Sequence, residues 1–279
     1  MSRKVAFITG ASRGIGAEAA VALARIGFDV AITARTLAEG ESHDHVGKVA
    51  PLPGSLEATA AAIEAAGGRA LCLRGDILDG EGTAAAARRA REHFGRIDLL
   101  FNNAVYQGIG NLSALLETSR DQIAAIYQAN VFTPLALVQE ILPGMLERGG
   151  GTILNMVSFA AFHNPPAPAD RGGWSFAYSS SKAASARMAG SIRAEHRNCG
   201  VRVFNLEPGT VITEVIKAAG IHDELVKRFK TVSAASVAAV VAWLAENEPR
   251  PEWGPDDVLH APAIAKQLDL LKVPSFLAD

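Results

Sequence analysis

The chain of 279 residues has only two cysteines, Cys72 and Cys199, and neither lies in a Cys-x-x-Cys or Cys/His spacing. That excludes a disulfide framework and a structural zinc, and it fits a reducing, cytoplasmic compartment. Neither sign of charge is in surplus: 27 Lys and Arg stand against 29 Asp and Glu, a formal net charge of −2. Without a basic stripe, nucleic acid and anionic membrane surfaces are excluded as main partners. No run approaches the roughly 18 apolar residues that span a bilayer. The apolar start Val5-Ala6-Phe7-Ile8 is cut short by Thr9-Gly10 and reads as a buried first strand, not as a leader. Aromatic residues are scarce at 6 %, yet 49 % of the chain is hydrophobic. That supports one large core and excludes a disordered chain.

What the chain does contain is an alternation of short apolar runs with longer Ala-rich stretches of helical period. Strands are expected over 4–9, 29–34, 69–74, 98–102, 152–157 and 201–206. Helices are expected over 15–26, 55–66, 81–94, 176–198 and 233–246. A long helix or helix pair spans 117–148, with Pro134 and Pro143 as kinks or breaks. Strands that are apolar throughout, separated by helices, mean a parallel sheet covered on both faces. The expected fold is therefore α/β, a Rossmann-type doubly wound parallel sheet in three α/β/α layers and a single domain. Two segments look inserted, at 39–54 and 164–173. Loops this long in a compact α/β domain form lids or walls of a site. The first carries His43-Asp44-His45; a metal site there would need further ligands that its sequence neighbourhood does not supply.

Thr9-Gly10-Ala11-Ser12-Arg13-Gly14-Ile15-Gly16 joins the first strand to the first helix. Glycines let this backbone turn sharply and approach a ligand, and the helix that follows points free N–H groups and its positive dipole end there. A dinucleotide pyrophosphate suits such a loop. NAD-preferring sites place a carboxylate after the second strand, but Thr33-Ala34-Arg35-Thr36 has none. Arg35 and Arg13 are instead suited to a 2′-phosphate, which favours NADP(H) over NAD(H) while leaving NAD(H) possible.

Tyr178 and Lys182 lie four apart at the start of an expected helix, one turn from each other on one face. A phenol with a reference pKa of about 10 becomes a useful acid or base near neutrality only if that value falls, which a nearby ammonium promotes. Ser158 ends the preceding strand, where the carboxyl edge of the sheet forms the crevice.

Taken in order, the 9–16 loop, Asp76-Ile77, Asn102-Asn103-Ala104, Asn130, Ser158, Tyr178 with Lys182, and Pro208-Gly209-Thr210-Val211-Ile212-Thr213 resemble the short-chain dehydrogenase/reductase family over nearly the whole chain. The resemblance implies that Tyr178 is the general acid in carbonyl reduction and the general base in alcohol oxidation. Lys182 would lower the Tyr178 pKa and hold the nicotinamide ribose, Ser158 would bind the substrate oxygen, and Asn130 would carry a relay water. It further implies cofactor contacts from Gly10, Ser12, Arg13, Gly14, Ile15 and Gly16, from Asp76 and Ile77 at the adenine, and from Asn103 and Ala104 at the adenosine ribose. Pro208, Gly209, Val211 and Thr213 would frame the nicotinamide. A homo-oligomer, dimer or tetramer, is implied as well.

Three features depart from the family pattern. Val105 stands where the family usually has glycine, so this turn must keep an ordinary backbone or carry strain. Ser158 and Tyr178 are 20 positions apart, which requires the proline-rich insert to bulge away. The usual glycine-rich strand near the C-terminus is missing, and 257–260 is its imperfect replacement. Rival readings are a non-catalytic NADP-binding sensor on the same fold, a nucleotide-sugar epimerase or dehydratase using the same cofactor, and an acyltransferase through Ser179-x-x-Lys182. The last lacks the partner motifs that its chemistry requires. Tyr106, Ile109, Phe159, Phe162, Trp174, Phe176 and the 215–229 segment are expected to flank the crevice, pointing to a hydrophobic ketone or alcohol as the small-molecule substrate.

Overall fold

Seven strands form one sheet in the order β5-β2-β1-β6-β7-β8-β9 in a computed structural model that describes residues 3–45, 47–220, 222–250, 253 and 258–277. They are β1 (Lys4–Thr9), β2 (Phe28–Ala34), β5 (Ala70–Arg74), β6 (Leu99–Asn102), β7 (Gly151–Met156), β8 (Val201–Glu207) and β9 (Leu259–His260). Every neighbouring pair is parallel. The chain winds outward from β1 through β2 to β5, then returns to β6 and winds the other way. The switch point lies between β1 and β6, where an open α/β sheet leaves a crevice at its carboxyl edge.

The pleat explains why these strands carry no polar face. In β1, Ala6 and Ile8 enter one core and Phe7 the other; in β6, Leu99 and Phe101 enter the first and Leu100 the second. The first core is roofed by α1 (Gly14–Arg25), α9 (Ala234–Glu246) and α10 (Ala261–Gln267). The second is roofed by α3 (Gly80–Phe94), α5 (Thr133–Glu147) and α6 (Phe176–Glu195). Both sides of the central strands β1, β2, β6 and β7 are dry, so alternation in the sequence disappears there. Side-chain oxygens start the helices where the sequence supplies them. Ser55 caps α2 (Leu56–Ala65), Asp79 caps α3 and Ser175 caps α6, and Ser119 and Gln122 form a reciprocal capping box on α4 (Arg120–Tyr127).

The expected long helix is continuous, with one irregularity. Helix α4 runs through a π turn, Gln128–Phe132, directly into α5. Pro134 sits directly after the π turn, in the first turn of α5, and does not break the run. Pro143 is accommodated inside α5. The stretch Arg120–Glu147 has the length and composition to cross a membrane, but half of its apolar window is buried within the fold.

The first insert is not irregular, as the sequence suggested. It folds into an antiparallel hairpin, β3 (Ser42–His45) with β4 (Lys48–Pro51). Among the described residues, no group of three or more His, Cys, Asp or Glu side chains comes together to hold a metal ion. The C-terminal region also holds α7 (Glu214–Ala219) and α8 (His222–Arg228), which sequence reading left unassigned. In place of the missing glycine-rich strand the described residues hold the two-residue β9, and Asp257 lies outside them.

Phe101 is fully buried at the middle of the sheet, beside the switch point. Phe101→Ala should destabilise the fold by about 3–5 kcal/mol, read as a lower urea midpoint with an unchanged denaturant slope.

Candidate active site

The crevice is a cleft of about 910 Å³ lined by the carboxyl ends of β1, β2, β5, β6, β7 and β8. At its base, the loop after β1 is tied to the loop after β6. Thr9 Oγ1 accepts from the Asn103 and Ala104 N–H groups at 3.1 and 3.0 Å, and Asn103 Nδ2 donates to the carbonyls of Thr9 (2.9 Å) and Gly10 (3.3 Å). Asn103 thereby holds the glycine loop with its side chain. Gly10 sits at φ +69°, and a Cβ on Gly16 would lie 2.4 Å from the Gly10 carbonyl oxygen. Only glycine permits helix α1 to start this close to the strand. Gly14, at φ +57°, opens α1 and packs beside Thr213. Val105 keeps an ordinary backbone: among the described non-glycine residues only Asn198 and Asp269 have positive φ.

At the end of β2, the two expected 2′-phosphate ligands are both engaged with the insert. The Arg13 guanidinium donates to the carbonyls of Pro53 (2.8 Å), Leu52 (3.2 Å) and Gly54 (2.8 Å), and to Thr36 Oγ1. Arg35 donates to the Asp44 carbonyl at 3.1 Å. Both arginines line the cleft, as do Asp76 and Ile77. The Asp76 carboxylate accepts the Leu78 N–H and so also shapes its own turn.

At the other end, the insert folds on itself through a 3-10 turn at Ala169–Arg171, where the Arg171 and Gly173 N–H groups donate to the Pro168 carbonyl, and Ser175 caps α6. The Ser158 hydroxyl comes close enough to the Tyr178 phenol to act on its ionisation despite their separation in sequence. Lys182 is 5 % exposed and donates from Nζ to the Met156 carbonyl at 2.8 Å. The electrostatics differ from the expectation that Lys182 depresses Tyr178. Burial pushes the Tyr178 phenol up, the Ser158 hydroxyl opposes this, and the Glu207 carboxylate adds to the rise. Lys182 is itself lowered to about 8, because burial disfavours its charge. Asn130, in the π turn, accepts the Tyr106 N–H at 2.9 Å and donates to Ser181 Oγ at 3.0 Å.

The family model described as short chain dehydrogenase matches residues 4–49 and 41–224, two overlapping segments. The chain belongs to the short-chain dehydrogenase/reductase family. An uncharacterized oxidoreductase of Mycobacterium tuberculosis is 35 % identical over 223 residues, covering 80 % of this chain and 74 % of that protein. An uncharacterized oxidoreductase of Methylorubrum extorquens is 29 % identical, covering 92 % and 96 %. Among solved structures, a metagenomic short-chain oxidoreductase in complex with NADP is 29 % identical with a TM-score of 0.68, covering 88 % of this chain and 92 % of that one.

Two polar residues of this oxidoreductase escaped the sequence reading. Glu207 ends β8, is 6 % exposed, and accepts the Gly209 N–H at 2.9 Å. Its other oxygen lies 3.0 Å from His260 Nε2, while His260 Nδ1 accepts the Ala263 N–H. Gly209 has φ +70°, so the turn after Glu207 is fixed by this pair and by Pro262 behind it. The signal in the sequence was a carboxylate directly before Pro208-Gly209, at a strand end that faces the crevice. Pro208, Val211 and Thr213 line the cleft beside it.

A nicotinamide dinucleotide fits this chain's own residues. The glycine cradle admits no Cβ at position 16, and the cleft runs from Arg35 to Tyr178 without interruption. Of the expected apolar walls, Tyr106, Phe159 and Trp174 line it, joined by Val215, Leu225 and Phe229. Ile109, Phe162 and Phe176 do not: they are exposed outside the cleft.

Because the native chain releases the Lys182 proton near 8 and the unfolded chain near 10.5, the unfolded state binds more protons between those values. Stability from this residue therefore rises with pH across that window. The unfolding free energy of the wild type, measured against Lys182→Met without nucleotide, should gain over that range and stay parallel below it.

Proposed function

We propose that this oxidoreductase interconverts a ketone and a secondary alcohol with NADP(H), using Tyr178 as the acid–base group. The observation that carries this reading is the convergence of Ser158 and Tyr178 beside a buried ammonium on the wall of a cleft floored by the glycine loop. A bound nicotinamide supplies the hydride for reduction or accepts it in oxidation. The Ser158 hydroxyl holds the substrate oxygen and steadies the charge that develops on it. Tyr178 Oη gives its proton to that oxygen during reduction; burial keeps the phenol protonated until then, which suits the acid role. Lys182, fixed by the Met156 carbonyl, lines the same cleft and holds the ribose of the bound nicotinamide. Asn130 holds the Tyr106 backbone against α6 and keeps the wall of the cleft in register with Ser181.

Preference for NADP(H) is supported by two guanidinium groups and no carboxylate at the end of β2. Arg13, with Nε and Nη2 committed to the hairpin, acts as its anchor, and Arg35 is the freer ligand. Apolar walls from Phe159, Trp174, Leu225 and Phe229 favour a hydrophobic carbonyl compound. A cytoplasmic homo-oligomer, dimer or tetramer, agrees with the sparse cysteines and with family habit.

Tyr178→Phe should lower kcat for hydrophobic ketones by roughly 10²–10⁴-fold while the NADPH dissociation constant barely moves. Substantial residual turnover would place the acid elsewhere. Arg35→Asp should shift the ratio of kcat/KM towards NADH, and an unchanged ratio would remove Arg35 from the 2′-phosphate site.

A further inference from the structure

The hairpin β3–β4 carries His45, a side chain with no part in the chemistry above. It is 7 % exposed, lines the same cleft as Thr33, Ala34, Arg35 and Thr36, and its Nδ1 has no partner among the described residues. A buried imidazole nitrogen left unpaired is costly unless something else satisfies it. Charged groups reach His45 from several elements: Arg35 from the end of β2, Arg13 from the glycine loop, and His43 and Asp44 from its own strand. Helix α7, packed on β3, brings Glu214 to the Arg13 side of this cluster.

The hairpin is fastened to this place. Arg13 and Arg35 both donate to carbonyls of the 42–54 segment. Arg74 pairs with Glu41 at its base. A Cβ on Gly54 would lie 2.5 Å from the Ser12 carbonyl oxygen of the glycine loop. The insert is therefore built directly against the loop expected to hold the pyrophosphate.

Resting on the NADP(H) reading above, we propose that His45 is a specificity-determining residue that takes up a proton from solvent when a ribose phosphate monoester enters between Arg13 and Arg35. Burial and the two arginines hold the free imidazole down at about 4, so it is neutral at physiological pH. A phosphate monoester carries about −1.5 to −2 charges near pH 7. Placed in this cluster, it cancels the arginine field and favours the imidazolium. A nucleotide with a free 2′-hydroxyl brings no such charge. The hairpin then discriminates by charge, and selectivity for the phosphorylated ribose increases as pH falls from the bound-state pKa of His45 towards about 4.

The test is calorimetric binding of adenosine 2′,5′-bisphosphate and of ADP to the full chain near about pH 7, in two buffers of different ionisation enthalpy. Proton uptake is expected with the bisphosphate and not with ADP. His45→Gln should lose that uptake. In the wild type relative to His45→Gln, the bisphosphate advantage over ADP should steepen with falling pH by up to about tenfold per unit, the slope of one proton. Equal uptake in wild type and His45→Gln overturns the role of His45 and leaves the NADP(H) reading standing. Equal affinity for the two nucleotides removes that preference and the proposal with it, and binding of neither removes the dinucleotide site altogether. Should His45→Gln fail to fold, NMR titration of the wild-type imidazole decides. Its pKa must climb from about 4 on adding the bisphosphate, and an unmoved value overturns the proposal.

Discussion

The stitch between Thr9 and Asn103 fixes the width of the crevice, and the rest of the site is set out from it. Four hydrogen bonds join the loops after β1 and β6 at the point where the winding of the sheet reverses. Reversal alone opens a gap between the two loops; the stitch gives that gap a fixed floor. With Gly10 held at positive φ and Gly16 against its carbonyl, the first turn of α1 aims its free N–H groups along the floor. Everything mounted on the later strands, from Ser158 to Glu207, is then measured from the same origin.

Along this floor the two ends of the cleft solve opposite electrostatic problems. At the β7–α6 end, burial works against ionisation of both Tyr178 and Lys182, and one backbone carbonyl and one serine hydroxyl are the compensating partners. A proton donor that stays protonated and a lysine tied to a backbone carbonyl are consistent demands on the same dry wall. At the β2 end the surplus is of positive charge, and the hairpin's carbonyl oxygens absorb part of it.

Much of this was legible in the chain. Strand positions followed from apolar runs, because a sheet buried on both faces removes the polar alternation that would otherwise blur their limits. The glycine loop and the Tyr178–Lys182 spacing were readable because each is local, set by one turn and one helix. The hairpin was not: Ser42-His43-Asp44-His45 has no apolar alternation, and its position comes from distant partners such as Arg13 and Arg74. Glu207 and His260 meet across 53 positions of chain that no local pattern links. Ile109, Phe162 and Phe176 failed as walls because proximity in sequence to the crevice does not fix the direction of a side chain.

The wide turn between α4 and α5 has a consequence for how this fold can vary. One residue more than an α-helical turn is spent there, so the faces of the two helices are out of phase by roughly 100°. Asn130 occupies that surplus, which is what swings its amide towards α6. Shortening the segment by one residue would leave a more regular rod, yet it would rotate one half against the other. The irregularity thus acts as a phase-setter: α5 keeps its seat on α3 while α4 presents a different side to α6.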